Sequence, residues 1–254
     1  MTHSFSLAAP LAGIFLGANL LPVAVNAAEV KVFSSPAASG ALTEVVPQFE
    51  RATGHKVLLD FANIAATRKR IAASETFDIA IVSPKAIEEL LQQGTIAAGT
   101  QYNIGSTGLG AVTRKGAAKP DIGSVDAFKR TLLNVKSVAF PGEGASGIYF
   151  TRLLDRLGIA EPMKGKLRPM PAEDTVEVVA RGEVDMVVVI ASRIVDVPGV
   201  DLVGPIPAEL QTTIGVSAGL SAAAKEPTAA KSLIAFFTAP EALPIIRAKG
   251  LTPP

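Results

Sequence analysis

The chain has 254 residues, room for one large domain or for two smaller lobes, each with its own core. Its 24 Lys and Arg against 23 Asp and Glu leave a formal charge of +1, so no overall field draws it to nucleic acid or to an acidic membrane. Cysteine is absent and imidazole occurs only at His3 and His55, which excludes disulfides, thiolate metal sites and multi-histidine zinc centres.

Residues 1–28 contain no Lys, Arg, Asp or Glu. The apolar run from Leu7 to Val25 is interrupted by Pro10, Gly13, Gly17, Asn19 and Pro22, and it ends in Val25-Asn26-Ala27-Ala28. Small residues there suit signal peptidase, with cleavage after Ala27 or Ala28, and the helix breakers weigh against a retained membrane anchor. A leader over residues 1–28 and a periplasmic mature protein are expected.

Val30 and Val32 mark a strand from Glu29 to Ser34, and the Pro36–Gly40 turn leads into a helix that buries Leu42, Val45, Val46 and Phe49. Pro47 is expected to bend that helix or to lie in its first turns. Lys56–Phe61 reads as a second strand, Asn63–Ser74 as a helix and Phe77–Val82 as a third strand. Ser83 and Pro84 then supply an N-cap and first position for a helix that ends at Gly94. Further on come a strand at Gly108–Thr113, a polar loop at Lys115–Pro120 and a helix at Ser124–Leu133. Ser137–Phe140 is a short strand that turns through Pro141, Gly142, Gly144 and Ser146 into a helix closed by Gly158.

A strand follows near Lys166–Met170, then a turn at Pro171–Thr175 into a helix through Val176 and Val179. Asp185–Ile190 is apolar enough to be a strand buried on both faces. Thr212–Gly219 is one more strand, and helices at Pro227–Phe237 and Pro240–Lys249 close the chain.

Alternating strands and helices predict an α/β protein whose parallel strands point their carboxyl ends at a ligand crevice. Each strand-to-helix turn aims unpaired N–H groups and a positive helix end at that crevice, a geometry suited to an anion. The turn residues Ser34, Ser35, Ser39, Asn63, Ser83, Ser146 and Thr175 are therefore the candidate binding positions, to which the resemblance described next adds Ala37.

The order of pieces resembles the extracytoplasmic solute-binding proteins of ABC importers, and most closely their molybdate-binding branch. The resemblance rests on Val32-Phe33 with Gly40-Ala41-Leu42, Phe77-Asp78-Ile79-Ala80-Ile81, Ser146-Gly147-Ile148-Tyr149, Pro171-Ala172-Glu173-Asp174, Gly182-Glu183-Val184-Asp185 and Phe236-Phe237-Thr238-Ala239-Pro240-Glu241. It implies a two-lobed periplasmic binding protein fold, each lobe a mostly parallel sheet flanked by helices, with two crossing strands as hinge. Lobe I would hold residues 29–105 and 210–254, lobe II residues 106–209.

The resemblance further implies a small anion held between the lobes and delivered to ABC permease subunits in the membrane. The family's molybdate site has a serine hydroxyl where this chain aligns Ala37, another where it reads Asn63-Ile64-Ala65, and a tyrosine at Ile190. These losses disfavour molybdate and leave a small organic carboxylate as its rival, gripped by Arg193 or Arg68. A monomer with no cofactor, metal, nucleic acid or catalysis is expected. A ligand-binding sensor and an enzyme built on Glu143, Glu173 or Asp174 are the alternatives.

Overall fold

The computed structural model describes residues 27–195 and 197–254; the expected leader, Ala27 and Ala28 apart, lies outside the described residues. The first lobe begins β1 (Glu29–Ser34), α1 (Ser39–Thr53), β2 (Lys56–Phe61), α2 (Ile64–Ala72), β3 (Ile79–Val82), α3 (Pro84–Gln92) and β4 (Ile96–Thr107). The second contains β5 (Leu109–Arg114), α4 (Val125–Asn134), β6 (Val138–Pro141), α5 (Ala145–Arg156), α6 (Ala160–Met163), β7 (Leu167–Met170), α7 (Glu177–Ala180), β8 (Met186–Ile190) and β9 (Val200–Pro205). The chain then returns to the first sheet with β10 (Ile214–Ser221) and closes with α8 (Pro227–Thr238) and α9 (Leu243–Ala248).

Two five-stranded sheets result, ordered β2-β1-β3-β10-β4 and β7-β6-β8-β5-β9. Both have the same layout. The first three strands in each order run parallel, and the last two pair antiparallel. Each sheet is mixed, yet four of its five strands point one way, which is the mostly parallel arrangement the sequence leads one to expect. Only β10 in the first sheet and β5 in the second run against the strands that feed helices; β4 and β9, each antiparallel to that reversed strand, point the same way as the rest.

Pro47 lies inside α1 without breaking it. It faces solvent, where the Thr43 carbonyl it leaves unpaired can be hydrated. β4 and β9 escape the sequence reading because glycines with positive φ interrupt them, Gly99 and Gly105 in one and Gly204 in the other. Such positions hide the period-2 signal of a strand.

The lobes are joined at Gly108 and at the segment before β10. Gln211 pairs there with Leu109 as a backbone would: its Oε1 accepts from the Leu109 N–H at 2.9 Å, and its Nε2 donates to the Leu109 carbonyl at 2.7 Å. A Cβ on Gly108 would lie 2.7 Å from that Oε1, so only glycine leaves room for the clamp. Tyr149 Oη donates to the Leu210 carbonyl at 2.8 Å and holds the same segment against α5.

Two devices fix the helices that border the cleft. Arg70, near the end of α2, donates to both Asp60 oxygens at 2.6 and 2.7 Å and to Glu75 at 2.6 and 2.7 Å, with its guanidinium 4.2 Å above the Phe33 ring. Hydrogen bonds from Arg70 and then Lys31 pull the Glu75 carboxyl down to about 2, and Arg70 lowers Asp60 as well. At α5 the packing is closer still, because a Cβ on Gly147 would sit 1.7 Å from the Pro141 carbonyl oxygen.

Two outcomes follow from this packing. Gly147→Ala must push α5 off β6, at a cost of about 1–3 kcal/mol, read as a melting temperature lower by about 3–10 °C. Because the Glu75 pKa is depressed in the folded state, its contribution is present above the unfolded glutamate range and is lost as pH falls toward about 2. Glu75→Gln is therefore expected to flatten the acid limb of the stability curve between about pH 4.5 and 2, measured by urea unfolding at each pH.

Candidate functional site

Six strand ends face one gap between the lobes. From the first lobe come the turns after β1, β2 and β3, and from the second the turns after β6, β7 and β8. The gap has two compartments. An inner cavity of about 120 Å³ is lined by Ser35, Ala37, Ser83 and Ser146 among apolar Ile64, Val82, Val189, Ile190 and Ile214. An outer one of about 630 Å³ is lined by Ser39, Phe61, Glu173 and others, and Asn63, Glu143 and Arg193 border both.

Each polar group is placed by its local structure. Asn63 caps α2, its Oδ1 accepting from the Ala66 N–H at 2.9 Å, which turns its Nδ2 outward to donate across the gap to Glu143 Oε2 at 3.0 Å. Ser83 caps α3, with its Oγ accepting from the Ala86 N–H at 3.3 Å. α5 has no side-chain cap, because Gly144, at φ 94°, occupies that position. Its first N–H groups thus have no capping partner among the described residues and lie at the inner cavity, beside Gly144, Ala145 and Ser146. The hydroxyls of Ser35 and Ser146 make no hydrogen bond among the described residues.

Arg193 sits on the single 3-10 turn that follows β8. Its guanidinium donates to Ser39 Oγ at 3.4 Å, to the Ala172 carbonyl at 3.4 Å and to the Glu173 carbonyl at 3.3 Å, all at the long limit for such bonds. Its Nε is buried with no partner among the described residues. A guanidinium carries five N–H donors, and an orphaned buried one costs about 1–3 kcal/mol, so this group is poised for a better acceptor than the protein provides. Among the described residues no cluster of three or more His, Asp or Glu is arranged to hold a metal ion.

Of the positions singled out from sequence, Ser35, Ala37, Ser39, Asn63, Ser83, Ser146 and Arg193 line the gap. Ser34 and Thr175 do not. Ser34 is fully buried, its Oγ donating to the Ser35 carbonyl at 3.1 Å. Thr175 is fully buried too, and its Oγ1 donates to the Pro171 carbonyl at 2.7 Å, which fastens the turn after β7 from behind. Arg68 is paired with Glu89 on the surface and is no ligand group. The sequence offers Glu143 only as an enzyme's carboxylate, and its place at the boundary of both compartments has no signal there.

A family model described as bacterial extracellular solute-binding protein matches residues 30–252. The chain belongs to that family. This solute-binding protein is 33% identical over 251 residues to an aconitate isomerase of a Pseudomonas species, covering 96% of this chain and 95% of the relative. It is 27% identical over 253 residues to the molybdate-binding protein ModA of Azotobacter vinelandii, with 97% and 98% covered. Its backbone matches the solved periplasmic molybdate-binding protein of Azotobacter vinelandii with a TM-score of 0.75 at 20% identity, over 89% of this chain and 99% of that one. That likeness bears on the fold, which is the two-lobed architecture of periplasmic binding proteins.

The Asn63–Glu143 bond spans the gap of the solute-binding protein, so its chemistry sets how the lobes meet. Asn63→Asp keeps the cap on α2 but faces Glu143 with a second carboxylate. The ligand-free protein is expected to open, with a larger radius of gyration by small-angle X-ray scattering at pH 7 and a partial return at 1 M salt, where screening shortens the repulsion.

Proposed function

We propose that the cleft binds a small organic di- or tricarboxylate outside the cytoplasm and passes it to ABC permease subunits. The single observation that carries this reading is Arg193, whose buried Nε has no partner among the described residues and whose other bonds to them are all long. A carboxylate offers two coplanar acceptors that match a guanidinium edge.

The shape of the gap supports the same ligand class. A tetrahedral oxyanion needs donors on every side, and the inner cavity is walled mainly by Ile64, Val82, Val189, Ile190 and Ile214. A carbon skeleton fits those walls. Its carboxylates would meet Arg193 at one end and the uncapped turn of α5, with Ser35 and Ser146, at the other. The relative named for an isomerase of aconitate, itself a tricarboxylate, supports a carboxylate over molybdate. The residue 29–105 and 210–254 unit and the residue 106–209 unit would close on the ligand about Gly108 and Gln211, replacing its water with these fixed donors. The leader over residues 1–28 would export the chain, which would act as a monomer.

A thermal-shift screen of the mature protein tests this reading. At a ligand concentration a hundred times Kd the stabilisation is about 2.7 kcal/mol, or about 5–10 °C for a chain of this size. Di- and tricarboxylates should give it while molybdate, tungstate, sulfate and phosphate do not, and Arg193→Ala should weaken binding by about 30-fold or more. Stabilisation by the inorganic oxyanions alone would overturn the proposal.

A further inference from the structure

Glu143 is the group that a purely binding site does not explain. Its carboxylate is exposed to the cleft and borders both compartments, at the place where a ligand gripped by Arg193 would enter the inner cavity. An ionised carboxylate in a site for an anion repels the ligand and lowers affinity. The fold nevertheless fixes it there: Gly144 frames the turn, and Asn63, itself locked by its cap on α2, holds Oε2 at 3.0 Å. Oε1 accepts no hydrogen bond among the described residues and remains available to a ligand atom.

We infer that Glu143 is a general base, and that the cleft moves a proton between carbons of an unsaturated polycarboxylate. This rests on the carboxylate reading of Arg193 given above. The components of such a site are a base, an electrophilic partner and an apolar space for the reacting carbons between them. Here they are Glu143, Arg193 and the inner cavity. With one ligand carboxylate on Arg193, Glu143 Oε1 takes a proton from a methylene group that adjoins both a carboxylate and a C=C bond. The C–H bond breaks and its electron pair forms a new C=C bond. The pair of the old C=C bond shifts to the far carbon, with its charge spread onto the carboxylates that Arg193 and the first N–H groups of α5 hold. Protonated Glu143, exposed to the cleft, exchanges its proton with solvent, delivers a solvent-derived proton to that far carbon and is again a carboxylate. The product is the isomer with its double bond displaced by one position, and no oxidant, water or metal ion is consumed.

The test uses the full mature protein, with the cis and trans forms of propene-1,2,3-tricarboxylate as probes. Proton NMR in D2O reads isomerisation and deuterium uptake at the methylene, and calorimetry reads binding separately. Wild type should bind and interconvert the two forms with deuterium uptake. Glu143→Gln should bind at least as tightly, since a repelling charge is removed, while turnover falls by about 10²-fold or more. Glu143→Asp should recover part of the turnover, which a residue with only a structural role would not show. Binding by wild type with neither isomerisation nor deuterium uptake would overturn the inference and leave the binding proposal standing, as would undiminished turnover in Glu143→Gln. Absence of binding by either form, or by any other di- or tricarboxylate, would remove the carboxylate reading and this inference with it.

Discussion

The pairing of the Gln211 amide with the backbone of Leu109 is the joint on which the cleft depends. At this point the chain has left one sheet and is about to re-enter it, and no regular ladder can bridge the two twisted sheets. A side-chain amide copies the peptide's donor and acceptor, with bonds of 2.7 and 2.9 Å, and so pairs the Leu109 N–H while adding a second donor to a carbonyl that already accepts from the Ile206 N–H. Gly108 makes the approach possible. Because the crossing is held in this way, the strands that feed helices in both sheets direct their carboxyl ends into the same gap.

The lining that results is a contest between opposite charges. The first N–H groups of α5, the hydroxyls of Ser35 and Ser146 and the guanidinium of Arg193, all short of partners among the described residues, favour an anion. Glu143 opposes it. Such an opposition is expensive in a site evolved only to hold its ligand, whereas proton transfer requires a base beside the group that neutralises the product charge. The hydrocarbon walls of the inner cavity fit the same picture, since they exclude water from the carbons and strengthen the electrostatics around them.

Much of this protein is legible from residue order. The parallel strands, the helices with their apolar faces and the caps at Asn63 and Ser83 follow from periodicity and from the chemistry of individual side chains. So does the use of strand-to-helix turns as binding positions. Ser34 and Ser35 show the limit of such reasoning. They are neighbours in one turn, yet the first is buried behind the cleft and the second faces it. Successive side chains at a strand end point opposite ways, and the register that decides between them is set by the partner strands β2 and β3.

Arg193 and Glu143 needed the assembled molecule. Arg193 reaches Ser39 across 154 positions of the chain and Glu143 meets Asn63 across 80, distances over which no local pattern carries information. The amino-acid sequence determined the elements other than β4 and β9 and most helix ends, because these depend on residues a few positions apart, and its composition excluded thiolate and multi-histidine sites. Only the tertiary structure decided which turns share a cavity and which carboxylate borders it, because that outcome depends on how two separately formed sheets are joined at Gly108 and Gln211.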